Sequence, residues 1–372
     1  MTLIACFLLN KEIISTGSES MRRYIPLLII GLCIVFMVLA TLLYTTQSVG
    51  KKEQANKFIP VTKTLTVYTT IPVEMASIIA SEYQKDANIQ VNFIPIAKED
   101  LINNFQHNNI KDVDMVLADS TVLEELKSLN ALTSNISEEE DIVKERFKDN
   151  NNSWIGVWYD PIVFCYNLDY VKNNWQIPLT WNDLAQNNNI KIAMTDFMVA
   201  SAAANVLYSL SQDKNIDNTI LLMQQIHAKV VRYAKYLSTP VRMVGMGEAD
   251  VAIAVQSETL RYINDNYPIS IIYPKDGTAY QLTAVGIVKD SNQQVEANNF
   301  IKWLLGDDIQ ISLQKNRYYY VPTNYTSLTY KEFAGKNIRF LEKNNIFDEN
   351  AKKAILDEWV TNVRLKIKVI GV

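Results

Sequence analysis

Three consecutive tyrosines, Tyr318, Tyr319 and Tyr320, lie in RYYYVPTN (residues 317–324). Phenolate oxygens bind hard cations such as ferric iron, and phenol rings stack on flat ligands. Alternating tyrosines also suit a half-buried strand, with Tyr319 on one face and Tyr318 and Tyr320 on the other. Other reactive residue types are sparse. His107 sits in FQHNN and His227 in LLMQQIHAKVV, and neither has a second His or Cys at ligand spacing. Of the three cysteines, Cys6 and Cys33 precede or lie inside an apolar N-terminal segment, which leaves Cys165 alone in the rest of the chain. This pattern excludes a Cys/His zinc cluster and implies a domain without disulfides. There is no G-x-S-x-G elbow, no H-E-x-x-H, no P-loop and no G-x-G-x-x-G. A carboxylate pair drawn from 40 acidic residues is the one catalytic route left, so the chain reads as a non-enzyme. No cofactor and no resident metal are expected.

The 372 residues are 48% hydrophobic and 20% charged, enough for two lobes around a core, and the net charge of −4 gives no reason to expect nucleic-acid binding. From Ile25 to Tyr44 the chain is uncharged and almost wholly apolar, behind Arg22 and Arg23. About 20 such residues span a bilayer as a helix. No A-x-A cleavage site follows, and Cys33, preceded by Leu32 in mid-segment, is no lipobox cysteine. An uncleaved signal anchor over 24–46 is therefore expected, with 1–23 cytoplasmic, Met21 as an alternative start, and 47–63 as a polar linker. The domain beyond is placed outside the cytoplasm, in the periplasm or at the cell surface.

From residue 64 the pattern alternates strand and helix. LTVYTT (65–70), NIQVNFIPI (88–96) and DVDMVLADS (112–120) read as strands, with Pro72 opening a helix that carries Glu74 in its first turn. WIGVWYDPIVFCYNLDYV (154–171) reads as one long strand, and Thr180 with Asp183 as a capping box. NIKIAMTDF (189–197), ADVAIAVQ (249–256), YPISIIYP (267–274) and LTAVGIVKD (282–290) are further strands. MVASAAANVLYSLSQ and VEANNFIKWLLG read as helices, NTILLMQQIHAKVVRYA as one amphipathic stretch, and the last 40 or so residues as mostly helical. Such alternation predicts an α/β fold with a parallel sheet.

Several of these segments, in this order, resemble the type 2 periplasmic solute-binding proteins of ABC importers, in the cluster that carries ferric iron, thiamine, polyamines and phosphorylated or phosphonate compounds. The resemblance covers roughly residues 64–325. It rests on LTVYTTIPVE, DVDMVLADSTVLEEL, WIGVWYDPIVFCYNLDYV followed by PLTWNDL, VGMGEADVAIAV, and YPKDGTAYQLTAVGIVKDSNQQVEANNFIKWLLGDDIQ. It implies two lobes joined by crossing strands, here 64–158 plus 275–312 and 159–274 plus 313–372, with a ligand cleft between them. It also implies a small-molecule ligand and ABC permease subunits as partners.

In such folds ligands meet loops at the carboxyl ends of strands. Those positions are Thr69, Thr70, Asp119, Ser120, Tyr159, Asp160, Asp196, Ser201, Gln256, Ser257, Glu258, Tyr273, Asp276 and Thr278. Each has a plain alternative as turn or capping chemistry. Five of these residues are acidic, and Lys275 is the lone cation in the same loops, which favours a cationic or amine ligand. A phosphorylated compound held by helix N-termini near 198–201 is the second option. A sensor of the same fold feeding a signalling partner, and a membrane-attached hydrolase or transferase, are the alternative functions.

In ferric-iron members of the family a tandem tyrosine pair follows the strand corresponding to ADVAIAV. In this chain that pair falls on Ser257 and Glu258. RYYYVPTN matches a later segment with no family ligand, so its tyrosines are expected to be structural, with one lining the cleft rim.

Overall fold

The computed structural model describes residues 34–35, 37, 39, 63–134, 141–341 and 348–366. The chain divides into two units, Met1–Pro60 and Val61–Val372. In the first unit Ile34, Val35, Met37 and Leu39 are helical, and the rest of the expected anchor lies outside the described residues. Among the described residues no helix is long and apolar enough to cross a membrane.

The second unit begins with β1 (Thr64–Thr69), α1 (Val73–Ala87), β2 (Gln90–Pro95), α2 (Lys98–Gln106), β3 (Met115–Asp119) and α3 (Ser120–Ser128). Then come β4 (Ile155–Asn167), α4 (Leu168–Asn173), α5 (Trp181–Gln186), β5 (Ile192–Thr195), α6 (Ser201–Lys214), α7 (Ile216–His227) and β6 (Val230–Ala234). The middle of the chain closes with α8 (Ser238–Gly245), β7 (Val251–Val255), α9 (Gln256–Asn264), β8 (Ile269–Ile272) and β9 (Tyr280–Ile287). The C-terminal part holds α10 (Gln294–Leu304), α11 (Asp307–Lys315), β10 (Val321–Pro322), α12 (Leu328–Ala334), α13 (Glu349–Trp359) and a π-helix, Val360–Arg364.

The strands join in the order β2-β1-β3-β9-β4-β7-β5-β6, with β8 and β10 also pairing to β4. β1 is parallel to β2 and β3, and β5 is parallel to β6 and β7. The sheet is nevertheless mixed, not parallel throughout as the alternation predicts. β9 runs antiparallel to β3 and β4, and β4 antiparallel to β7. The reason is that β4 and β9 carry the chain between the two halves in opposite directions.

All thirteen residues of β4 are buried, which is why it reads as a long apolar run without alternation. Its pairing with β9 ends at Pro161↔Tyr280, and its pairing with β7 starts at Ile162↔Val255. Ile155, Val157, Trp158 and Tyr159 belong to the first core. Ile162, Phe164 and Tyr166 belong to a second core. Cys165 joins a third cluster on the opposite face of β5 and β7, with Ala193, Ala252 and Ala254. The Asp160–Pro161 step is thus where one core hands over to the other. Gly156 lies so close to the chain at Phe147 that a Cβ would stand 2.6 Å from the Phe147 carbonyl oxygen, so only glycine fits there.

Local sequence explains most boundaries. Thr180 and Asp183 form the expected capping box at α5. The 154–171 strand stops at Asn167, because the Asn167 side chain accepts the N–H groups of Asp169 and Tyr170 and starts α4. The amphipathic stretch 218–234 divides into most of α7 and the strand β6, where Val230 to Ala234 find β5 as a partner. Residues 313–372, assigned to one lobe from the sequence, pack on both cores. Leu313, Val321 and Phe333 join the first, whereas Ile355, Trp359 and Val363 join the second.

Candidate functional site

The carboxyl ends of β1 and β3, the middle of β4 and the start of β9 surround a cavity of about 170 Å³. Thr70, Ile71 and Pro72 come from the β1–α1 loop, Met75 from the first turn of α1, and Asp119 from the end of β3. Trp158 and Asp160 lie two apart on β4 and so share one face of that strand. Gln281 and Thr283 do the same on β9. Tyr320 closes the wall. Strand register brings these residues together. Asp160 opposes Gln281, Asp119 opposes Thr283, and Val321 opposes Tyr159, which leads Tyr320 up beside Asp160.

Asp160 is the buried carboxylate of this wall, 6% exposed. It accepts the backbone N–H of Ser257 at 2.9 Å and the Ser257 hydroxyl at 2.5 Å. Burial pushes its carboxyl up to about 7, the Ser257 bonds oppose that rise, and the nearby Glu258 charge adds to it. Asp119 accepts the Thr121 N–H at 2.8 Å as the cap of α3 and the Gln281 side-chain amide at 3.1 Å. Burial raises the Tyr320 phenol well above its ordinary value, and the Asp160 and Glu258 charges add to the effect.

Of the sequence-predicted residues, Thr70, Asp119 and Asp160 line the cavity. Ser257 and Gln256 open α9 against the same wall. The Gln256 side chain is fully buried and accepts the Tyr273 hydroxyl at 2.5 Å, while its amide nitrogen has no hydrogen-bond partner. Glu258 pairs with Arg261 at 2.9 Å.

The remaining candidates do not line this cavity. The Thr69 hydroxyl donates to the Leu117 carbonyl at 2.7 Å and accepts the Ile71 N–H at 3.2 Å, which shapes the β1–α1 loop. Ser120 is the first residue of α3, and Ser201, exposed, is the first of α6. Tyr159 stacks on Phe147 at 4.7 Å, inside the first core. Asp196 accepts the Met198 N–H at 3.1 Å and the Arg364 guanidinium at 2.9 Å. Asp276 accepts the Trp181 N–H at 3.1 Å and so caps α5 from 95 residues away. The Thr278 hydroxyl, fully buried, donates to the Ile162 carbonyl.

Sequence reasoning missed Trp158, Gln281, Thr283, the β1–α1 loop residues Ile71 and Pro72, and Met75 of α1. A signal existed for two of them: Gln281 and Thr283 are the polar residues, two apart, in the otherwise apolar YQLTAVGI. The tyrosine run divides. Tyr318 and Tyr320 stack with ring centroids 6.4 Å apart and pack on the first core. Strand pairing begins only at Val321, so the tyrosines precede the strand instead of forming it. Among the described residues no group of three or more His, Cys, Asp or Glu is placed to hold a metal ion.

A mixed sheet in two halves, joined by two crossing strands with a cavity at the strand ends, defines the architecture of periplasmic binding proteins. The sequence profile of the family described as "Bacterial extracellular solute-binding protein" matches residues 98–348, more than half of the chain. The chain belongs to this family, one of binding proteins. An uncharacterized protein of Haemophilus influenzae is 23% identical over 197 residues, which cover 51% of this chain and 56% of that relative. The periplasmic binding protein AfuA of Actinobacillus pleuropneumoniae, with exogenous fructose-6-phosphate bound, superposes with a TM-score of 0.66 at 19% identity, over 82% of this chain and 100% of its own. The apo ferric ion-binding protein A of Pasteurella haemolytica gives 0.67 at 18% identity, over 80% and 97%. Iron-bound HitA of Pseudomonas aeruginosa gives 0.61 at 17%, over 83% and 99%. At these identities the likeness establishes the fold.

Proposed function

We propose that the chain is a membrane-anchored receptor that captures a small organic cation between two lobes and delivers it to an ABC permease. The anchor is the apolar segment 24–46, and the domain after the 47–63 linker lies outside the cytoplasm. One observation carries the ligand class. The cavity wall contains two carboxylates, Asp119 and Asp160, two aromatic rings, Trp158 and Tyr320, and no Lys or Arg among its described residues. Carboxylates complement an ammonium group, and aromatic faces attract it further. A phosphate would face two carboxylates there with no fixed cation opposite, which disfavours the sugar-phosphate reading suggested by AfuA. The lobes are proposed to move about the Asp160–Pro161 step on β4 and its neighbour at the start of β9, because pairing changes partner there.

Ligand binding to the folded state raises apparent stability by mass action. A thermal-shift screen of amines, amino alcohols and sugar phosphates, followed by calorimetry of the hits, tests the reading. Saturable binding of an amine is expected. Tight binding of a sugar phosphate with none for amines would overturn the ligand class.

A further inference from the structure

Two ion pairs connect the halves of the molecule away from the crossing strands. On one side, Lys98 at the start of α2 reaches Glu125 of α3 at 3.0 Å and Glu349 of α13 at 3.4 Å. Helices α2 and α3 pack in the first core through Leu101, Phe105, Leu123 and Leu126, whereas α13 packs in the second through Ile355 and Trp359. Lys352 holds Glu349 from within α13 at 2.8 Å, so the acceptor is positioned before Lys98 meets it. On the other side, Arg317, just past α11, bonds Asp265 at the end of α9 at 2.6 Å. Its neighbours Tyr318 and Tyr320 pack on the first core, and Tyr262 and Ile263 of α9 pack on the third cluster.

The two pairs lie over opposite faces of the second half of the sheet. α13 covers the face that carries Ile192, Met194 and Val251, and α9 the face that carries Ala193 and Ala252. Arg317 also adopts a left-handed backbone, φ 72°, which costs a residue with a side chain some energy. That conformation is kept where its guanidinium meets Asp265.

We propose that Lys98–Glu349 and Arg317–Asp265 are two electrostatic latches, one over each face of the sheet, that hold the halves together and set how often the cleft opens. The proposal rests on the reading above that the halves move as lobes, and it needs no particular ligand. Rotation about the Asp160–Pro161 step would separate both pairs, and of the packing at α9 it would disturb the contact of Leu260 with the first core. Side-chain exposures of 30% and 50% for Lys98 and Glu349, and 49% and 43% for Arg317 and Asp265, leave the latches open to screening by salt. Partly exposed pairs are weak singly, so each should shift the open population by about two- to five-fold.

Hydrogen exchange of the full chain in detergent, followed by mass spectrometry without added ligand, tests this. K98M and R317M should each speed exchange at the cleft-facing segment 70–76 by about two- to five-fold, and the double variant by about the product. Salt at about 1 M should reproduce the effect in the native chain and do nothing further to the double variant. Exchange in β3 and β7 should stay unchanged in all of them. The partner variants E349Q and D265N should repeat the result from the other half of the molecule. Unchanged exchange at 70–76 in all four variants would overturn the latches, as would an equal salt response in the double variant. A rise shared by β3 and β7 would also overturn them, since it reports unfolding rather than opening. Failure of amine binding with these exchange results intact would leave the latches standing and remove only the ligand class.

Discussion

Thr70 and Asp119, at the carboxyl ends of β1 and β3, face a cavity, whereas Asp196, at the carboxyl end of β5, is bonded to Arg364. The two halves place these residues at matching points of parallel strands, and the same kind of side chain has different work in each. Over the second half, the C-terminal π-helix supplies Arg364, whose guanidinium lies 4.3 Å from the centre of the Tyr233 ring. Trp359 packs on Phe197 and Tyr233 beneath it. The first half leaves its strand ends open, and the crossing strands complete the wall with Trp158, Asp160, Gln281 and Thr283. Position at a strand end therefore makes a polar residue a candidate, and what packs above it decides whether a ligand can reach it.

This contrast can be broken or sharpened by substitution. If the second half is chiefly a packed support, Trp181→Ala should cost the most stability. Trp181 is fully buried, and its indole N–H donates to the Gly277 carbonyl at 2.9 Å. A loss of about 3–5 kcal/mol is expected in urea denaturation. A loss under about 1 kcal/mol would show that the second core does not depend on it.

Asp160→Asn comes next and should separate stability from binding. The folded carboxyl titrates at about 7, against 3.8 for an ordinary aspartate. Between those values the folded state holds a proton that the unfolded state releases. The stability linked to this group is therefore complete below about pH 4 and falls as pH rises toward about 7, by at most roughly 4 kcal/mol. The Asn variant should lack that fall, so it should be more stable than the native chain at pH 8 and about equal near pH 4. Amine binding should drop by about 100-fold or more in calorimetry, because a buried charge partner is gone. Equal pH slopes for the two proteins would contradict the assignment.

Asp119→Asn is a milder test of the same wall. Its single oxygen would still accept the Thr121 N–H, its new amide nitrogen would face Gln281, whose side chain can turn to offer its own oxygen, and the charge is lost. Affinity should fall by about 10-fold with stability within about 1 kcal/mol of native. The smallest effect belongs to the covered strand end. Arg364→Met should leave amine affinity unchanged and cost under about 1 kcal/mol, as partly exposed ion pairs do. A clear loss of affinity would mean that Asp196 takes part in binding despite its cover, and the contrast between the halves would fail.

Much of the fold was legible in the chain. The Thr180–Asp183 capping box, the strands at 64–69 and 251–255, and the long apolar β4 all follow from residue type and spacing. The site was legible only in part. Asp119, Asp196 and Asp276 each stand at or just past the carboxyl end of a strand and look alike as sequence. Their partners separate them, and three of those partners are remote: Gln281 lies 162 residues from Asp119, Arg364 168 residues from Asp196, and the Trp181 N–H 95 residues from Asp276. Spacing cannot report such distances. Which of the three tyrosines would line the cleft was hidden for a related reason, since the place of Tyr320 beside Asp160 depends on the register of the two-residue strand β10 with β4.

Amino-acid order alone thus determined the alternation of helices and strands, the caps that begin the helices, and the positions where a ligand could be met. These depend on local backbone chemistry and on the period of apolar residues. Tertiary structure decided which of those positions stay open. It set the antiparallel crossing of β4 and β9, brought Asp119, Asp160 and Tyr320 around one cavity, and closed Asp196 beneath the C-terminal helix. Those outcomes follow from strand register and from which remote segment covers which loop, and both are settled only when the whole core packs.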